Sequence, residues 1–155
     1  MAEFGNTTVQ TVNPGEVVIF TITSQPSLDN RIRHAAGEGG FLLSGGCCNR
    51  NRCGSCRCCY SDTLAYLCTF GCNIAIPTGG TVEPISIALA VEGNTVPGTT
   101  ATVTPAAVEE YWNVSRSKEV DIWKGCCQSV SLRNVSNQPI LVDGSLNMII
   151  TPPSV

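Results

Sequence analysis

Six cysteines and three arginines fall within thirteen residues, Cys47-Cys48-Asn49-Arg50-Asn51-Arg52-Cys53-Gly54-Ser55-Cys56-Arg57-Cys58-Cys59. The stretch has no aliphatic side chain and is bracketed by Gly45-Gly46 and Ser61-Asp62. It therefore reads as a loop over residues 44–62, inserted in a larger domain and held by sulfur chemistry instead of by burial. Two chemistries suit it. Cys53-Gly54-Ser55-Cys56 has the Cys-x-x-Cys spacing of a zinc knuckle, and Cys47 or Cys48 with Cys58 or Cys59 would complete a site of soft ligands. The adjacent pairs Cys47-Cys48, Cys58-Cys59 and Cys126-Cys127 point to disulfides instead. Neighbouring Cα atoms about 3.8 Å apart lie below the usual disulfide range, so each member of a pair seeks its own partner. Cys68 and Cys72 bring the cysteines to ten, all of them disulfide candidates. Disulfides, some of them between chains, are the leading reading; zinc at Cys47, Cys48, Cys53, Cys56, Cys58 and Cys59 is the alternative, and no other cofactor is expected.

Catalysis finds little support. His34 is the only histidine, and a cysteine nucleophile usually needs a paired base. Between Arg33 and Ala35 it reads as an ordinary structural histidine. Glu109 and Glu110 are sequence neighbours that point apart, and no glycine-rich phosphate loop or Ser-His-Asp order stands out. The expectation is a protein that is not an enzyme.

At 155 residues the chain fits one domain, residues 1–155, and a globule of this size buries roughly 70% of its unfolded surface. Sulfur is thus not needed merely to fold it. Met1-Ala2-Glu3-Phe4-Gly5-Asn6 shows no basic region, apolar run or cleavage site, and no apolar run approaches the roughly 20 residues of a membrane span. Synthesis in the cytoplasm without a signal peptide is expected, with no membrane partner. A reducing cytosol conflicts with so many cysteines; release by lysis into an oxidising medium, as for virions and spore surfaces, resolves the conflict. The three Asn-X-Ser/Thr triplets at Asn6, Asn113 and Asn134 mean little without a secretory route. The net charge is −3, yet residues 31–57 hold Arg31, Arg33, Arg50, Arg52 and Arg57 against Glu38 alone. One end of the fold should therefore be basic. The arginines are read as solubilising the loop or lowering its thiol pKa values, ahead of binding nucleic acid.

The elements that must position the cysteines are short strands separated by turns. Glu16 to Thr23 is β-branched and apolar after the Asn13-Pro14-Gly15 turn, and Thr7 to Val12 precedes it as a strand. Arg31 to Ala35 and Phe41 to Ser44 are weaker strands. In Leu64 to Ile76, Tyr66, Cys68, Phe70, Cys72, Ile74 and Ile76 share one face at period two, so both cysteines point where the apolar residues point. Ile85, Ile87, Leu89 and Val91 alternate with Ser86, Ala88 and Ala90. The small apolar face fits a subunit interface at Ala88 and Ala90, or a tight fold. Trp112 and Trp123 are the other interface candidates. Thr104-Pro105 could open a short helix to Trp112. Asn113 to Trp123, Cys126 to Asn134 and Gln138 to Ile150 complete the strands, with Cys126 facing in beside Val130 and Leu132 and Cys127 facing out. About ten short strands with Gly/Pro/Asn turns argue for an all-β jelly-roll sandwich, and Met1 to Asn6 could serve as a docking arm.

Cys72 to Gly93, Val103 to Tyr111, Asn113-Val114-Ser115, Gly125-Cys126-Cys127 and Asn134 to Val142 resemble a group of small proteins encoded by phages and prophages of Gram-positive gut bacteria. The resemblance spans residues 64–150 and extends loosely to the N-terminal third. It implies a jelly roll of the TNF and complement-head type, a homotrimer, and a virion accessory role such as capsid decoration or head fibre. No catalytic residues come with it. The dense Cys47–Cys59 loop departs from that group and raises a disulfide-linked extracellular filament or spore appendage as the alternative, with a metal-organised binding module behind it. Expected partners are further copies of the chain and a capsid or filament surface, with nucleic acid ranked below both.

Overall fold

The computed structural model describes residues 1–46 and 59–154. These form thirteen strands: β1 (Ala2–Gly5), β2 (Gln10–Val12), β3 (Ile22–Gln25), β4 (Ile32–Arg33), β5 (Gly40–Ser44), β6 (Cys59–Ala75), β7 (Ile85–Val91), β8 (Asn94–Thr95), β9 (Ala101–Val103), β10 (Trp112–Lys124), β11 (Cys127–Asn134), β12 (Ile140–Val142) and β13 (Asn147–Thr151). One sheet runs β2-β12-β6-β13-β1-β3 with β10 also on β6; the other runs β4-β5-β11-β7-β8 with β9 also on β7. The strand pairs are antiparallel, and the two sheets enclose one core. The all-β jelly-roll expectation holds.

The core follows from period-two patterning. Tyr66, Cys68, Phe70, Cys72 and Ile74 on β6 are buried, as are Ile85, Ile87 and Leu89 on β7, Val130 and Leu132 on β11, and Met148 and Ile150 on β13. Each such side chain contributes about 1.5–3 kcal/mol by leaving water. β6 and β10 pair from Trp112↔Ile74 to Trp123↔Thr63 without interruption, then shift register to Lys124↔Cys59. This strand pair, here called the ribbon, is the longest pairing of the fold, and the site lies at its ends.

Several expectations change. Met1 to Asn6 is not a projecting arm: β1 lies inside the sheet, paired on both sides by β13 and β3, with Ala2 and Phe4 buried. Glu16 to Thr23 is not one continuous strand. Val17 bridges Arg133 in one sheet, Phe20 bridges Glu38, and Thr21 N–H donates to Gly5 O in the other, so the chain crosses between layers there. Gln138 to Ile150 splits into β12 and β13 at Asp143-Gly144. A Cβ on Gly144 would lie 2.6 Å from Thr7 O, so glycine is needed for that approach. Residues 105–111 form bends and turns in place of a helix, because the Glu110 carboxylate accepts from the amides of Ala106 and Ala107 and turns the chain straight into β10.

Candidate functional site

At one end of the ribbon, the chain on either side of residues 47–58 is clamped against the turn joining β10 and β11. Gly45 N–H donates to Cys126 O at 2.7 Å, Gly125 N–H to Gly46 O at 2.8 Å, and Cys126 N–H to Trp123 O at 3.0 Å. Gly46 and Gly125 take positive φ values of 74° and 80°, the left-handed region that glycine enters without cost. Gly45 is required for closeness: a Cβ there would sit 1.9 Å from Trp123 O. Below this neck the Tyr66 hydroxyl donates to Ser44 O at 2.5 Å, and burial pushes its phenol up to about 12. Lys124 and Asp62 close the outside as an ion pair. Hydrogen bonding to Lys124 heads the causes that lower the Asp62 carboxyl. Arg31, whose carbonyl accepts from Ser44 N–H, pairs through Nε with Asp29 at 3.1 Å, bringing a cation to this end.

The cysteines divide sharply. Cys126 and Cys127, both half-buried on the neck, are disulfide-bonded. Cys68 and Cys72 are free thiols in the core, which corrects their place among the disulfide candidates. Neither reaches another sulfur, because each points into the packed interior of the sandwich. Burial pushes both up to about 12, so they carry almost no thiolate at neutral pH and are chemically quiet. Cys126 precedes β11 and Cys127 opens it, and both are half-buried. Cys47, Cys48, Cys53, Cys56 and Cys58, with the thiol of Cys59, lie outside the described residues, and with them the proposed zinc ligands. Among the described residues no group of three His, Cys, Asp or Glu side chains could hold a metal ion, and no helix is long and apolar enough to cross a membrane.

The opposite end of the ribbon is aromatic and acidic. Trp112 is 47% exposed and Tyr111 39%. The Trp112 indole N–H donates to Glu110 Oε1 at 3.0 Å, while the other oxygen of that carboxylate accepts from Ala106 and Ala107 N–H at 2.8 and 3.1 Å. Glu109 adopts a left-handed φ of 58°, donates its N–H to Ile76 O and accepts from the Thr78 hydroxyl. That backbone conformation costs a non-glycine residue of order 1–3 kcal/mol, and these bonds hold it. Burial, then Asp143, then Glu109 push the Tyr111 phenol up, which places both carboxylates within electrical reach of it. Asn113 Nδ2 donates to Asn73 Oδ1, and Asn73 Nδ2 to Asp143 Oδ2, tying the tip across neighbouring strands.

Of the other interface candidates, Trp123 is 36% exposed at the neck. Ala88 and Ala90 are 0% and 1% exposed, so they serve the tight fold and not a partner. Arg133 and Ser131 stand opposite them in register on β11. His34 lies apart, at an open groove of about 680 Å³ lined by Thr23, Asn30, Arg33 and Glu38. Its Nδ1 is 2.9 Å from Gly40 O and its Nε2 3.0 Å from Phe20 O, and its ring stacks on Phe41 with centroids 4.6 Å apart. It is a structural clamp.

No protein-family model matches the chain, and no curated protein does. Solved structures do. The TNF protein Eiger from S. frugiperda superposes with a TM-score of 0.62 at 10% identity, covering 99% of this chain and 91% of that one. The fold is a TNF-like jelly roll. The C-terminal domain of the sugar-binding protein EclA reaches 0.33 at 13% identity, covering 77% of this chain and 82% of that one. The CBM22-1 xylan-binding domain of Paenibacillus barcinonensis Xyn10C reaches 0.37 at 12%, covering 99% and 94%. These two superpositions are too loose to add to the assignment.

Proposed function

We propose that the protein is a non-enzymatic structural subunit, a self-associating jelly roll that serves as a virion accessory protein, in capsid decoration or as a head fibre. Cysteine cross-links toughen the assembly, and the trimer is its basic unit. The observation that carries this reading is the superposition of 99% of the chain on a TNF protein. The occupied nitrogens of His34 and the protonated core thiols leave the described residues poor in nucleophiles, which supports a role without turnover. The likeness to a TNF protein supports a self-associating sandwich. Synthesis in the cytoplasm and residence in a virion or other extracellular assembly belong to the same reading; a disulfide-linked filament is its variant. Size-exclusion chromatography with light scattering, paired with non-reducing gels, tests it. An oligomer containing chains joined until reductant is added is expected; a monomer with or without reductant would overturn it.

A further inference from the structure

One side of β10 is open. The strand pairs with β6 alone, and among the described residues its middle, 115–121, makes no other main-chain hydrogen bond. The remaining strands that end a sheet, β2, β3, β4, β8 and β9, are two to four residues long, whereas β10 has thirteen. A long open edge is a template on which a second chain can pair. Room for one exists: a groove of about 440 Å³ lies between Val91 and Val96 on one hand and Lys118 to Asp121 on the other. Yet the side chains of β10 are sorted by charge. Arg116 and Lys118 stand in register with the buried Phe70 and Cys68 of β6, so they belong to the core-facing side with Val114, Val120 and Ile122. Those three apolar residues are buried, but Arg116 and Lys118 are exposed. Glu119 and Asp121 are exposed on the opposite face, with Ser115 and Ser117. Between Trp112 and Trp123 the bases thus occupy one face and the acids the other, and none of the four forms a salt bridge among the described residues.

Two copies joined along β10 about a two-fold axis would meet antiparallel, with both sandwiches on the same side of the joined sheet. Residues opposite each other would then come from the same face in both copies, so base meets base and acid meets acid. Centred on Ser117, the join sets Arg116 against Lys118; centred on Lys118 or Glu119, it sets that residue against itself; centred on Val120, it sets Glu119 against Asp121. Like charges directly opposite are destabilising. Sliding by one residue to reach opposite charges would turn one sandwich over and put its β6 in the path of the join. We infer that the open edge of β10 refuses β10 of a second copy and fits a strand of the reversed pattern, with acids opposite Arg116 and Lys118 and bases opposite Glu119 and Asp121. Copies therefore meet through other surfaces. This holds for a lone chain as for a subunit of an assembly, so it stands or falls apart from the structural-subunit reading.

Sedimentation velocity of two full-length variants at low salt tests it. The first, Arg116→Thr with Lys118→Thr, Glu119→Thr and Asp121→Thr, removes the charges and keeps a good strand former at each position; it should associate beyond the state of wild type as concentration rises. The second, Arg116→Glu with Lys118→Glu, Glu119→Lys and Asp121→Lys, exchanges the charges between the faces. Alone it should sediment as wild type does, because it again sets like charge against like. Mixed with wild type it should give a larger species, because each face now opposes base to acid. Replacing like-charged by opposite-charged cross-strand contacts should make the mixed association about tenfold tighter or more than either self-association. Added salt should weaken the mixed species and leave association of the uncharged variant largely unchanged. Both variants should unfold in urea near the wild-type midpoint, since all four positions are exposed. If the uncharged variant sediments as wild type does, or if the mixture is no larger than its parts, the charges do not guard the edge and the proposal is overturned. Each result is read as a change from wild type, so a monomeric wild type would remove the structural-subunit reading without touching this one.

Discussion

Gly45→Ala offers the sharpest perturbation of the neck. The new methyl carbon would lie 1.9 Å from Trp123 O, 2.8 Å from Trp123 C and 3.0 Å from Cys126 O, all main-chain atoms that no rotamer change can move aside. Relief requires β5 and the β10–β11 turn to separate, which forfeits the 2.7 Å bond from Gly45 N–H to Cys126 O. Overpacking of this kind costs about 1–3 kcal/mol, and the lost hydrogen bond about 1 kcal/mol more, so the total should be about 3 kcal/mol. With a urea slope of about 2 kcal/mol/M, the midpoint should fall by about 1.5 M. Gly71→Ala on β6 is the matched control: its methyl would meet only Ser115 Cβ at 3.9 Å, so the midpoint should stay put or rise slightly through the stiffer unfolded chain. The measurement is urea unfolding followed by tryptophan fluorescence, in oxidising and in reducing buffer. The Gly45→Ala shift should persist under reduction, since the clash is with backbone and not with sulfur. A shift below about 0.3 M, or one no larger than that of Gly71→Ala, would refute the account of the neck.

Three further outcomes follow from the same structure. Cys68 and Cys72 should resist thiol reagents in the native protein at pH 8 and react once urea unfolds it; rapid native labelling at either would contradict their burial. Burial shifts the core thiols and the Tyr66 phenol upward to about 12. Their contribution is complete below pH 9 and lost between pH 9 and 12, because the unfolded chain releases those protons first. Urea midpoints should therefore fall over that alkaline range, and less steeply when both thiols are replaced by alanine; a flat profile would refute this. His34→Ala should cost about 1–2 kcal/mol through a lost ring-nitrogen hydrogen bond to a main-chain carbonyl and lost packing beside Phe4 and Phe41, measured by the same unfolding assay; a cost under about 0.5 kcal/mol would show that the clamp is idle.

Much of the sandwich was readable from alternation. Tyr66, Cys68, Phe70, Cys72 and Ile74 share a buried face because a strand turns every second side chain the same way, and the same rule placed Ile85, Ile87 and Leu89 inside. Alternation is silent about which strands pair. β1 is four residues long, and only its neighbours β13 and β3 make it an interior strand. The small face of β7 was legible as apolar but not as buried, because its register neighbours, Arg133 and Ser131, belong to a strand some forty positions along the chain. The aromatic tip was half visible. Trp112 drew notice as a possible anchor, whereas its fixing by Glu110 depends on a turn at Glu109 whose left-handed backbone has no glycine to announce it. Asp143-Gly144 carried a turn signal that the surrounding apolar residues obscured.

The ribbon of β6 and β10 also bears on mechanics. A pull applied at Trp112 and Trp123, at the two ends of β10, would run parallel to the two strands and across their rungs. The rungs from Trp112↔Ile74 to Trp123↔Thr63 then resist sliding together, instead of parting one at a time as they would if pulled open from an end.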